Sequence, residues 1–184
     1  MKKTYLDKVS NYSLNELTKL VVSIETANTT SQRKMIEQAS PFSDNINKSI
    51  DTYEELYFYC NLNLQEAVVT RRALIRDIDP DLVVTSKGKT NLELMKCGHP
   101  PYAFDGEDGV VELHHIGQNP DAPFAELTHR EHIMYGNNKK LHKDSKDSWR
   151  NELGAESVFA KERAQYWRKR AKGMSRVAKD SYVL

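Results

Sequence analysis

Of the eight glycines and six prolines in this 184-residue chain, five and four fall between residues 88 and 123. Proline removes a backbone donor and glycine loses the most freedom on ordering, so no long helix can pass through that interval. It must fold as short extended pieces joined by turns. "DGEDG" separates two short apolar runs, which predicts strands at residues 101–104 and 110–115. "GQNPDAP" reads as a loop and "FAELT" as a third extended piece. Thr128 and Glu131 in "THRE" form a capping box, so a helix starts at His129. "YGNNKK" ends it, because Gly136 and the two asparagines after it favour left-handed backbone. A final helix is expected from about Asp147 to Ala171, with a break near Gly154.

The residues before this interval have a different texture. Residues 13–27, "SLNELTKLVVSIETA", place Leu14, Leu17, Leu20, Val21 and Ile24 at helical spacing behind the cap Ser13. Residues 51–78 read as one longer helix, opened by Asp51 or Thr52 and ended before Pro80. Its apolar and aromatic positions, Tyr53, Tyr57 and Tyr59 among them, read as core rather than as a cofactor pocket. The expected fold class is α+β and mostly helical. It comprises an all-helical N-terminal region at 1–87, a second unit at 88–175 and a tail at 176–184. The N-terminal helices carry no recognisable chemistry, which leaves them regulation, partner binding or homo-oligomerisation.

Apolar runs are only a few residues long, so no membrane span is expected. "MKKTYLDKVS" has no apolar segment behind its lysines, so no secretory signal is expected and the cytoplasm is the expected location. Cys60 and Cys97 stand far apart without CxxC spacing, which argues against a disulfide framework or a cysteine-built zinc site. A formal charge of +1 says nothing about polyanions, but its distribution does. Residues 161–179 carry eight lysines and arginines against the single acid Glu162. Lys139, Lys140, Lys143 and Lys146 precede them. Lys139, Lys140, Arg168, Lys169, Arg170 and Lys172 are therefore the expected nucleic-acid contacts. A basic helix can equally be a solvated face, and Tyr166 and Trp167 can serve either core packing or base stacking.

Five of the six histidines lie within residues 99–132, and His142 follows. A hairpin feeding a short helix brings His114 and His115 close to His132. Lone histidines such as His99 and His129 are most simply surface or core residues. An adjacent pair with two more downstream suits a transition-metal site. An ideal strand would send His114 and His115 to opposite faces, so serving one site together requires a bend, which Gly117 permits.

The stretch "LELMKCGHPPYAFDGEDGVVELHHIGQNPDAPFAELTHREHIMYGNNKKLH" resembles the Leu-His-His branch of the HNH/endonuclease VII superfamily, over roughly residues 88–170. The resemblance implies a ββα-metal fold that hydrolyses phosphodiesters with one divalent ion (zinc, nickel, manganese or magnesium). By it, His115 is the general base, and His114, His132 and His142 are metal ligands. The orienting asparagine of the wider superfamily would fall near Pro123 or Phe124, where no amide exists, and Asn137 is the substitute. The expected function is a metal-dependent endonuclease acting on DNA, of the bacterial-toxin or anti-phage-defence type, with an immunity or regulatory protein as a partner. A toxin fragment would instead work in a target-cell cytoplasm. An RNase, or a non-catalytic binding module with a structural metal, are the alternatives.

Overall fold

The computed structural model describes residues 29–83, 88–142 and 149–180, and the predicted helix at 13–27 lies outside them, as do Lys143 and Lys146. In chain order the elements are α1 (29–39), α2 (Asp44–Asn47), α3 (Tyr53–Cys60), β1 (Leu64–Val68) and β2 (Arg72–Arg76). They continue with α4 (Asn91–Lys96), β3 (Val111–His115), β4 (Phe124–Thr128), α5 (His129–Ile133), α6 (Asn137–Leu141) and α7 (Ala155–Asp180). No helix among the described residues is long and apolar enough to cross a membrane.

Residues 51–78 are not one helix. Thr52 caps α3 as expected, its hydroxyl accepting from the Glu55 N–H, but α3 ends at Cys60. β1 and β2 follow as an antiparallel hairpin, in register from Leu64↔Arg76 to Val68↔Arg72. In five-residue pieces the helical and strand periods are hard to tell apart, and long-range pairing decides. β2 pairs in parallel with β4 through Ala73↔Phe124 and Leu74↔Ala125, giving one sheet of order β1-β2-β4-β3. That pairing buries Ala73 and Leu74 on opposite faces, which no local pattern announces. The N-terminal region is therefore not all-helical, and the sheet takes two strands from each side of residue 88.

The hairpin before α5 forms as expected, with β3 against β4 in register from Val111↔Thr128 to His115↔Phe124. The strand expected at 101–104 reduces to one isolated bridge, Tyr102 to Val110. Asn91 explains this: its buried side chain accepts from the Tyr102 N–H and donates to the carbonyls of Tyr102 and Asp79. Those groups are thereby satisfied without a ladder. α7 begins after Gly154, whose φ of +86° marks the expected break, and runs on to Asp180.

The sheet separates two cores. On one face lie Leu74, Ala125 and Leu127 with Ile36, Ile46, Ile50, Leu56 and Tyr59 of the N-terminal helices and Leu141 of α6. On the other, Val111, Leu113 and Phe124 pack against Met95 of α4 and Phe159, Tyr166 and Trp167 of α7. Tyr166 and Trp167 thus belong to the core. Gly117 fastens the end of β3 to the first core: a Cβ there would stand 2.1 Å from the Ser49 carbonyl oxygen, and its φ is +66°. Only glycine meets both conditions.

Candidate metal centre

His114, His132 and His142 converge. His114 sits on β3, His132 in the only turn and a half of α5, and His142 just after α6. The His114 Nδ1 lies 3.1 Å from the His132 Nε2, which lies 3.2 Å from the His142 Nε2. One ligand atom from each falls within 4.8 Å of the others. The capping box holds α5 in place: Thr128 accepts from the Glu131 N–H, and Glu131 from the Thr128 N–H. Three imidazole nitrogens from three elements pointing at one another make a donor set that suits a borderline divalent ion.

The outer nitrogens fix the ring tautomers. The Glu112 carboxylate takes the His132 Nδ1–H at 2.5 Å, leaving the Nε2 lone pair for the centre. The His142 Nδ1 donates to the Asn138 carbonyl at 3.0 Å, with the same effect. Glu112 also pairs with His129 at 2.8 Å. Burial works to raise the Glu112 carboxyl, but hydrogen bonds from His132 and His129 outweigh it and hold the group below its usual range. His129 is raised in turn by its bond to Glu112. The sequence reading missed Glu112. Its signal was the i, i+2 spacing to His114, which puts both on one face of β3.

His115 goes the other way. β3 stays regular to its end, so the ring enters the second core, between Phe124 at 4.6 Å, Phe159 at 4.7 Å and Trp149 at 5.0 Å. Its Nε2 is 3.9 Å from Glu162, which is ion-paired to Arg71. Burial raises the Glu162 carboxyl against the pull of Arg71. The bend that Gly117 permits comes after His115, in the 3-10 turn Ile116–Gln118, and does not bring the two rings together. Gln118, a second residue missed from sequence, reaches from that turn to the Leu141 carbonyl beside His142.

Asn137 donates its side-chain amide to the Glu131 carbonyl, tying the start of α6 to α5. Gly136 is in left-handed backbone as expected (φ +76°), but the asparagines open α6, and the second left-handed residue is Tyr135 (φ +57°). A hydrogen bond from the Asn137 N–H to the Met134 carbonyl closes this turn. Left-handed backbone costs a tyrosine about 1–2 kcal/mol. The side chain is 70% exposed, so core packing does not offset that cost.

The basic residues divide. Lys139 and Lys140 are exposed on α6, three and two residues before His142. Arg168, Lys169 and Lys172 are exposed on α7, across the sheet from the histidines, and Arg168 also reaches the Cys97 carbonyl. Arg170 is structural. It bonds Glu126 at 3.0 Å and the Arg76 carbonyl at 2.7 Å. Glu126, fully buried on β4, also accepts from Tyr166 and the Arg76 N–H. Arg76 in turn pairs with Glu131 at 2.6 Å, so this network links α7 and β2 to the cap of α5.

Residues 90–173, which include all three converging histidines and the Leu113-His114-His115 run, match the family LHH, described as a nuclease of the HNH/ENDO VII superfamily with conserved LHH. No solved structure matches the chain.

Proposed function

With an HNH/ENDO VII nuclease match over residues 90–173 as the premise, we propose that this protein is a metal-dependent endonuclease hydrolysing phosphodiester bonds in DNA. The observation that carries the reading is the convergence of His114, His132 and His142, backed by Glu112 and the Asn138 carbonyl. Three donors rather than four, among the described residues, leave a coordination position for water or a phosphate oxygen. A divalent ion held there would supply charge stabilisation of the leaving oxygen and a more acidic water.

The chain's own residues do the rest. Lys139 and Lys140 attract the phosphate backbone toward the same side of the sheet as the histidines. Asn137 holds α6 against α5 and so sets the distance from His132 to His142. His115 is the proposed proton acceptor. Its ring nitrogens are enclosed on the opposite face from His114, so that role requires Trp149 or Phe159 to move aside. A place in bacterial killing or phage defence, under an immunity or regulatory protein, completes the proposal.

Incubating purified protein with supercoiled plasmid and a panel of zinc, nickel, manganese and magnesium tests it. Nicked or linear DNA, abolished by EDTA, is expected. Cleavage that persists in excess chelator overturns the metal assignment, and cleavage of RNA alone overturns the DNA assignment.

A further inference from the structure

Three consecutive exposed residues, Ile133, Met134 and Tyr135, join the helix that carries His132 to the helix that leads to His142. Tyr135 stands furthest out, in left-handed backbone that asparagine would occupy with less strain. Its hydroxyl accepts from Arg130 at 2.5 and 3.1 Å, and that guanidinium lies 5.5 Å from the ring centroid. The ring is therefore tied to Arg130 while staying exposed, three residues along the chain from His132.

The segment itself favours a polyanion. Residues 129–142 carry Arg130, Lys139 and Lys140 against one acid, Glu131. The Glu131 carboxylate is turned inward, onto the Thr128 N–H and Arg76. From the neighbouring elements Asp108 acts on Arg130, and Glu107, Asp108 and Glu112 act on His129. An exposed aromatic ring among cations beside a phosphodiester-cleaving centre has the makings of a stacking platform for a nucleobase.

We propose that Tyr135 is a base-stacking residue that grips an unpaired nucleotide next to the scissile phosphate. The inference rests on the nuclease reading and adds the substrate form to it. In a duplex the bases already stack on one another, so the ring acts on single-stranded or locally opened nucleic acid.

The test is fluorescence anisotropy of the full chain with a phosphorothioate-linked single-stranded oligonucleotide, which resists cleavage, beside the matching duplex. Tyr135→Ala is expected to weaken single-strand binding by about 5- to 100-fold and duplex binding much less. Tyr135→Phe keeps the ring and should stay within about twofold. Tyr135→Asn is the discriminating variant: relieved of strain, it should raise the melting temperature while losing single-strand affinity as alanine does. Equal affinity of Tyr135→Ala and the unaltered protein overturns the proposal. So does a Tyr135→Phe loss as large as that of Tyr135→Ala, which would assign the effect to the hydroxyl. So does a change in self-association without a change in oligonucleotide affinity, which would make the patch a protein-binding surface. If the unaltered protein neither binds nor cleaves any nucleic acid, the nuclease reading itself falls, a result distinct from insensitivity to Tyr135.

Discussion

His114 and His115 are neighbours in the chain yet lie on opposite faces of the sheet, His114 across from Ala125 and His115 across from Phe124. One ring joins His132 and His142, and the other is enclosed by Phe124, Trp149 and Phe159. The pair therefore invites separate substitution. His114→Ala should lose zinc affinity together with cleavage. His115→Ala should keep zinc, measured by calorimetric titration, and lower cleavage by about 10²–10⁴-fold if it takes the proton. Loss of zinc in His115→Ala with retention in His114→Ala would reverse the roles.

Glu112 fixes the tautomer of His132 without belonging to the converging set. Glu112→Ala should weaken metal binding by about 10- to 100-fold while the far-ultraviolet circular dichroism stays unchanged. An unaltered affinity would mean that α5 alone orients His132.

Arg170 and its neighbours on α7 should respond differently to alanine. Arg170→Ala removes the ion-pair partner of the fully buried Glu126 carboxylate, leaving it the bonds from the Tyr166 hydroxyl and the Arg76 N–H, and should destabilise the fold by about 3 kcal/mol in urea unfolding. Lys169→Ala with Lys172→Ala, both on the exposed side, should leave stability nearly unchanged. If those lysines meet phosphates, that double variant also flattens the salt dependence of DNA binding.

Burial pushes the Glu55 carboxyl up to about 7, more than its bonds from Asp51, Tyr59 and Gly117 can offset. A carboxyl that is raised in the folded state binds its proton more tightly there than in the unfolded chain. Stability should therefore fall as pH rises from about 4.5 to about 7, by roughly 3 kcal/mol, and level off above. Glu55→Gln should flatten that window in unfolding measured at pH 5, 6, 7 and 8. A slope unchanged by the substitution would place the titrating group elsewhere.

The sequence alone determined the elements whose signals are local. The Thr128–Glu131 capping box starts α5 where the motif says, "FAELT" is β4, and the break at Gly154 precedes α7. These depend on one turn of backbone, so a few residues suffice to specify them. The approach of His114 to His132 was legible as well, because a hairpin followed by a short helix has few ways to place them, whereas His142 entered the set through the family resemblance. The tertiary structure decided what depends on partners far along the chain. Residues 64–76 became strands because β4 offers β2 a parallel edge about fifty residues later, and pairing outweighs the weak helical period. Arg170 became structural because Glu126 is buried opposite it, not because its own neighbours differ from Lys169 or Lys172. The direction of His115 was settled in the same way. The chain bends at Gly117 only after His115, because the aromatic side chains of α7 and β4 give the ring a packed site on the far face, and the strand stays regular to reach it.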